Sequence, residues 1–138
     1  MKADVLEKAD YIEKLVAIVE ERSPETVAEY REKLRAKMEE VLENSQIDDA
    51  RIVQEAAIYA DKVAVDEETV RLHSHLSQLR KILDMNEPVG RKLDFLIQEV
   101  NREANTIGSK CSDVEIAQVV VNIKSEIEKI REQIQNIE

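Results

Sequence analysis

The sequence predicts an all-α fold, an elongated domain of about six helices arranged as helical hairpins. Glycine and proline are scarce, two of each in 138 residues, so the chain has few of the residues that tight strand-to-strand turns require. Aromatic residues make up 3% and charged residues 36%, a profile that favours helix over strand. Apolar residues recur at intervals of three and four along most of the chain. At 43% hydrophobic, a single domain of this length has the material for a core.

Taken in order, residues 3–22 carry Leu6, Ile12, Leu15, Val16 and Val19 at helical spacing. Ser23-Pro24-Glu25 then reads as an N-cap, a proline in the first turn and an early acid, so one helix is expected to end there and another to begin. Residues 26–44 hold a narrow stripe of Val27, Tyr30, Leu34, Met38, Val41 and Leu42, as in one arm of a helical hairpin or coiled coil. After the break "NSQIDD", Asp48 caps a helix whose Ala56, Ala57, Ala60 and Ala64 would let a neighbour approach closely. Asp66 caps the next, with Leu72, Leu76, Leu79 and Leu83 inward. "DMNEPVG" is a loop that places Pro88 in the first turn of the helix over residues 90–110. Ser112-Asp113-Val114-Glu115 matches the S-x-x-E capping box and opens a last helix running through Ile116, Val119, Val120, Ile123, Ile127, Ile130, Ile134 and Ile137. With no long linker and no internal repeat, residues 1–138 read as one domain, residues 1–45 forming a helical arm.

The net charge of −10 opposes nonspecific binding of a polyanion by a basic surface, yet leaves room for a local basic patch or a bridging cation. No apolar run approaches a membrane span and the N-terminus has no hydrophobic region of a signal peptide, so a cytoplasmic protein without membrane contact is expected. The single cysteine, Cys111, permits no internal disulfide and is expected as a small packed side chain. The sequence has no phosphate-binding G-x-x-x-x-G-K-[ST] loop, H-E-x-x-H, nucleophile elbow or EF-hand loop. No nucleotide cofactor is therefore expected, and any enzyme chemistry must rest on carboxylates, histidine and metal.

The helix "GRKLDFLIQEVNREANTIGSK" concentrates the candidates. At about 100° per residue, Arg91, Asp94, Gln98, Arg102 and Asn105 fall within about 80° of one another, opposite Leu93, Leu96, Ile97, Val100, Ala104 and Ile107. A face kept for solubility alone would use Glu and Lys freely. Amides and Asp94, with Phe95 at the edge, suit an occluded polar contact: a helix–helix or subunit interface with Asp94 paired to an arginine, or a ligand face. Glu99 and Glu103, four residues apart, share another side and can hold a divalent cation through oxygen ligands. On the preceding helix Glu68, Arg71 and His75 flank the leucine stripe and are expected to be partly buried, and imidazole can serve as general acid, general base or ligand. His73 lies on a different side and is expected to be more exposed. Gln54 and Asp61, with Glu55 beside them, read as polar placement next to the alanine-rich face.

"QEAAIYADK", "EETVRLHSHLSQLRKIL", "GRKLDFLIQEVNREANTIGSK" and "KIREQIQNIE" together closely resemble the C-terminal region of the YicC/YloC family of bacterial, stress-associated endoribonucleases. The resemblance runs in order from about residue 9 to residue 138, with residues 46–138 the most family-like portion. It implies cleavage of single-stranded or structured RNA dependent on a divalent metal, manganese first and magnesium second, and a homo-oligomer, a hexameric ring in the full-length protein. Family members are about twice this length and begin with an N-terminal α/β region, so the resemblance implies that this chain is the C-terminal half behind an inserted Met1. Cys111 stands where the family is expected to have a small residue such as alanine. On this reading Glu99 and Glu103, helped by Glu68, His75 or Asp94, hold the metal, with Glu99, Glu103 and His75 as the catalytic group. Arg71, Arg91, Lys92, Arg102 and Lys110 meet phosphate oxygens, and Gln98 and Asn105 touch sugar or base edges. The rival expectation is a noncatalytic RNA-binding or oligomerising scaffold whose cleavage needs the other half or a recruited nuclease.

Overall fold

The structure, a computed structural model, describes residues 2–43, 46–85 and 89–136. Among them are five helices and no strand: α1 (Lys2–Leu42), α2 (Asp49–Val63), α3 (Asp66–Leu83), α4 (Gly90–Lys110) and α5 (Val114–Gln135). The all-α expectation holds, with five helices in place of about six. Pro88 and Ile137 lie outside the described residues.

The missing boundary is at Pro24, which sits inside α1. A proline there removes one bond, the one to the carbonyl of Glu20, an exposed residue. On the proline's far side Thr26 Oγ1 donates to Ser23 O at 2.7 Å. Arg22 bridges the same point, reaching Glu25 and Glu29 beyond the proline and Asp113 at the start of α5. Ser-Pro-Glu is the local signature of a helix start; these side-chain links carry the helix through it. At 41 residues, α1 is about 60 Å long at 1.5 Å per residue. It ends at Glu43, whose φ of 50° is the left-handed turn that commonly closes a helix.

α1 packs on α3 and α5, and α4 packs on the same two, so these four helices close a bundle; α2 packs on α1. From α1 the core takes Val5, Ala9, Ile12, Leu15, Val16 and Val19, which places its first half inside the bundle. From the other helices it takes the expected stripes, among them Leu72, Leu76, Leu79, Ile97, Val100, Ile107, Ile123 and Ile130. The second half of α1 leaves the bundle and pairs with α2 through a stacked Tyr30–Tyr59 pair with centroids 4.0 Å apart and through Arg35–Asp49 at 2.9 Å. Of the alanines on α2 only Ala56 is buried, and Ala57 is exposed. The α4–α5 contact is close at Gly108, where an added β-carbon would come within 3.3 Å of Val120 Cγ1.

Two caps differ from expectation. Asp113, not Ser112, caps α5 and accepts from Ile116 N at 3.1 Å, while Ser112 Oγ bonds Tyr59 Oη at 2.6 Å. α3 begins at Asp66 with Val65 as its uncapped N-terminal neighbour. Asp48 caps α2 as expected, accepting from Arg51 N. Cys111 is half-buried at the end of α4 and packs against the core.

Candidate metal and RNA site

α3 and α4 are antiparallel neighbours, and the seam between them gathers most of the titratable residues of interest. As positions rise along α3 they fall along α4. Glu68 faces Lys110, with Glu68 Oε1 2.8 Å from Lys110 Nζ, and Arg71 faces Glu103, with Arg71 Nε 2.9 Å from Glu103 Oε1. One turn further on, His75, Glu99 and Glu103 each place a potential ligand atom within 4.8 Å of the other two. The i, i+3, i+7 spacing on α3 and the i, i+4 spacing on α4 put these side chains on facing sides, beside the core stripes that bring the helices together.

Burial sharpens the cluster. Glu103 is 5% exposed and Glu68 3%, while His75 and Glu99 are half-buried. Buried carboxylates need partners: Glu103 has Arg71, and Glu68 has Lys110 and a longer contact of 3.6 Å to Arg71. Burial acts to raise the Glu68 carboxyl, but Lys110, the residue's own backbone N–H and Arg71 outweigh it and hold the group below the usual carboxylate range. Glu103 in turn raises the Arg71 guanidinium. Lys110 also donates to Ala64 O at 3.1 Å, tying the end of α4 to the start of α3.

Two polar atoms here are left over. Among the described residues, His75 Nδ1 and Glu68 Oε2 are buried without a hydrogen-bond partner. A buried unpartnered imidazole nitrogen is costly, and it belongs to the residue that approaches two carboxylates. One imidazole nitrogen with two carboxylate oxygens is a donor set suited to a divalent ion such as manganese or zinc. The residues present therefore fit a cation.

The remaining candidates lie elsewhere on α4. Gln98, Arg102 and Asn105 are exposed, so within this chain the stripe faces solvent and is not an occluded contact. Asp94 is half-buried toward α5, near Ile134 and Gln135, and accepts from Gln98 Nε2 at 3.0 Å, not from an arginine. Asp94 thus stands on a different face from His75, Glu99 and Glu103, and Glu68 lies further along the seam beside Lys110. Arg91 and Lys92 flank Phe95 in a separate recess. Gln54 and Asp61 are exposed on α2.

His73 departs from expectation. It is half-buried against α1, with Nδ1 2.8 Å from Glu13 and Nε2 2.6 Å from Glu20. Nothing local on α3 reveals that α1 packs over that side. Glu20, opposed by partial burial and joined by Glu13, raises the imidazolium's pKa. Arg80 also bonds Glu13 and Asp10, making a charged seam between α1 and α3.

Residues 19–138 match the family described as endoribonuclease YicC-like, C-terminal. The chain belongs to this YicC-like C-terminal family. It is 51% identical over 136 residues to a probable endoribonuclease YicC of Clostridioides difficile strain 630, covering 98% of this chain and 46% of that protein. It is 39% identical over 139 residues to a probable endoribonuclease YicC of Haemophilus influenzae, covering 91% of this chain and 48% of the relative. The chain spans about half the length of the curated relatives it matches. Among the described residues no helix is long and apolar enough to cross a membrane. The His75–Glu99–Glu103 group lies within the part of the chain that matches the YicC-like family.

Proposed function

We propose that this chain is the cation-holding helical part of an endoribonuclease that cleaves RNA phosphodiester bonds with a divalent metal, manganese in first place and magnesium in second. The observation that carries the reading is the convergence of His75, Glu99 and Glu103, with a buried imidazole nitrogen lacking a partner. Membership of the YicC-like family and the chain's likeness to two probable endoribonucleases support the reaction class. Glu99 and Glu103 would hold the cation, completed by His75. Bound there, it would supply Lewis acidity toward a phosphate oxygen and make water or a ribose hydroxyl a better nucleophile.

The chain's own side chains do the rest. Glu99 has no hydrogen-bond or ion-pair partner among the described residues and is free to turn toward a ligand. Arg71 is half-exposed at the mouth of the seam, so its guanidinium can meet a phosphate oxygen while Glu68 and Glu103 keep it in place. Lys110 holds Glu68 and closes the far end. Arg91, Lys92 and Arg102 extend the cationic reach along α4. Assembly into a homo-oligomer, hexameric in the full-length protein, belongs to the same proposal.

A second reading is favoured by one fact, that the chain spans about half of its relatives. The helical part would then be a noncatalytic RNA-binding or oligomerising scaffold, cleavage residing in the other half or in a recruited nuclease. Incubation of the chain with labelled single-stranded RNA, in manganese and in chelator, separates the two. The first reading expects manganese-dependent products that disappear in Glu99→Gln and Glu103→Gln with the helical circular dichroism unchanged. RNA binding without cleavage would replace it with the scaffold.

A further inference from the structure

Phe95 is the only phenylalanine of the chain, and it is 60% exposed. It stands on α4 one turn before Glu99 and one turn after Arg91, so its ring lies beside the proposed cation-holding carboxylate on the same helical surface. Together with Gln78, Ile82, Leu96, Arg91 and Lys92 it lines a recess of about 300 Å³. The floor is apolar, and two cationic residues stand at the rim. The chain as a whole is acidic, with a net charge of −10. At the other exposed ring with neighbouring lysines, Tyr11, the cations Lys8 and Lys14 stand among Glu7, Asp10 and Glu126. Among the described residues the Phe95 recess has no carboxylate in its lining.

We infer that Phe95 is a stacking platform for one unpaired base of an RNA strand, with Arg91 and Lys92 meeting the phosphates that flank it. A base has an apolar face and a charged backbone, and the recess offers the complement of each. A base in duplex is already stacked on its neighbours and has no free face for the ring, so the platform selects single-stranded RNA at the nucleotide next to the cation-binding group. Phe95 is thus a specificity-determining residue that makes no contact with the reacting atoms. The inference rests on the proposed RNA function and deepens it.

The chain has no tryptophan, so Phe95→Trp installs a single indole reporter at the platform. The probe is a cleavage-resistant 2′-O-methyl single-stranded oligonucleotide, with its duplex as control, titrated in magnesium. The expected result is quenching of the indole by the single strand and not by the duplex. In a parallel binding assay Phe95→Ala weakens the single strand on the order of tenfold and Phe95→Tyr restores it. Unquenched indole and equal affinities for the alanine variant, with RNA still bound, would overturn the platform and leave the proposed function standing. Loss of RNA binding in every form, wild type included, would bring down the proposed function and the platform with it. An indole spectrum that shifts with protein concentration and ignores RNA would overturn the inference in favour of a self-association face.

Discussion

Arg71 Nε donates to Glu103 Oε1 at 2.9 Å, so the guanidinium of α3 already neutralises a carboxylate of the His75–Glu99–Glu103 group. A guanidinium and a metal ion compete for the same oxygen. The Arg71 end of the pair is half-open to solvent, where water screens the attraction, while Glu103 is buried. On the proposed reading, a divalent ion takes that oxygen from the guanidinium. Arg71→Gln is expected to tighten manganese binding, by removing the competitor for the Glu103 oxygen, and to weaken RNA binding at the same time. Calorimetric titration with manganese and filter binding with RNA check the two opposite changes.

The seam between α1 and α3 should respond to pH through His73. Glu20 and Glu13 raise its pKa above the ordinary histidine value. A raised folded-state pKa contributes stability that is fully present below the unfolded pKa of about 6.5 and is lost as pH rises through the folded value. Arg80, beside Glu13, remains charged throughout and keeps part of the seam intact. Urea midpoints of wild type should fall relative to His73→Gln as pH increases above about 6.5, and the two curves should run parallel once His73 is neutral.

The latch at Pro24 should respond at the acid end. Arg22 Nη2 lies 2.9 Å from Asp113 Oδ1 and holds that carboxyl below the usual range against the effect of burial. A depressed folded-state pKa contributes stability that is present above the unfolded pKa of about 3.9 and is lost as pH falls through the folded value. Asp113→Asn keeps the cap acceptor and removes the charge. Its acid unfolding should consequently show less pH dependence below about pH 4 than that of wild type, measured by ellipticity.

Leu76 is fully buried, and its neighbour in sequence His75 belongs to the cluster. Leu76→Ala should cost about 2–5 kcal/mol by cavity formation. Chemical denaturation gives the loss directly, and weakened manganese binding under native conditions would show that core packing sets the position of His75.

The periodic stripes of α3, α4 and α5 were legible because they recur at helical spacing and bury the residues named from sequence, from Leu72 to Ile134. Pro24 misled because Ser-Pro-Glu has the same local chemistry inside a helix held by Arg22 as at a helix start. Ser112 misled for a related reason: Asp113 is the stronger acceptor one residue on, and Tyr59 engages the serine. Within the site, Glu99–Glu103 and Glu68–Arg71–His75 were each visible as spacings along one helix. That His75 meets the first pair, and that Arg71 binds Glu103, depends on the antiparallel α3–α4 register, which no single-helix periodicity contains. Charge order offers a faint signal, since an antiparallel pairing sets Glu68 against Lys110 and Arg71 against Glu103. The outward stripe of Gln98, Arg102 and Asn105 was legible as a face; its exposure in this chain was not, because composition alone does not say what covers a polar surface.

The central claim is that His75, Glu99 and Glu103 form one divalent-cation site. Electron paramagnetic resonance of free manganese during titration of the chain tests it without relying on cleavage. The account predicts one saturable site in the wild type, weakened at least about tenfold in a Glu99→Gln/Glu103→Gln double variant of unchanged helicity, as expected when charged oxygen ligands are lost. Equal manganese affinity in the two proteins would contradict it.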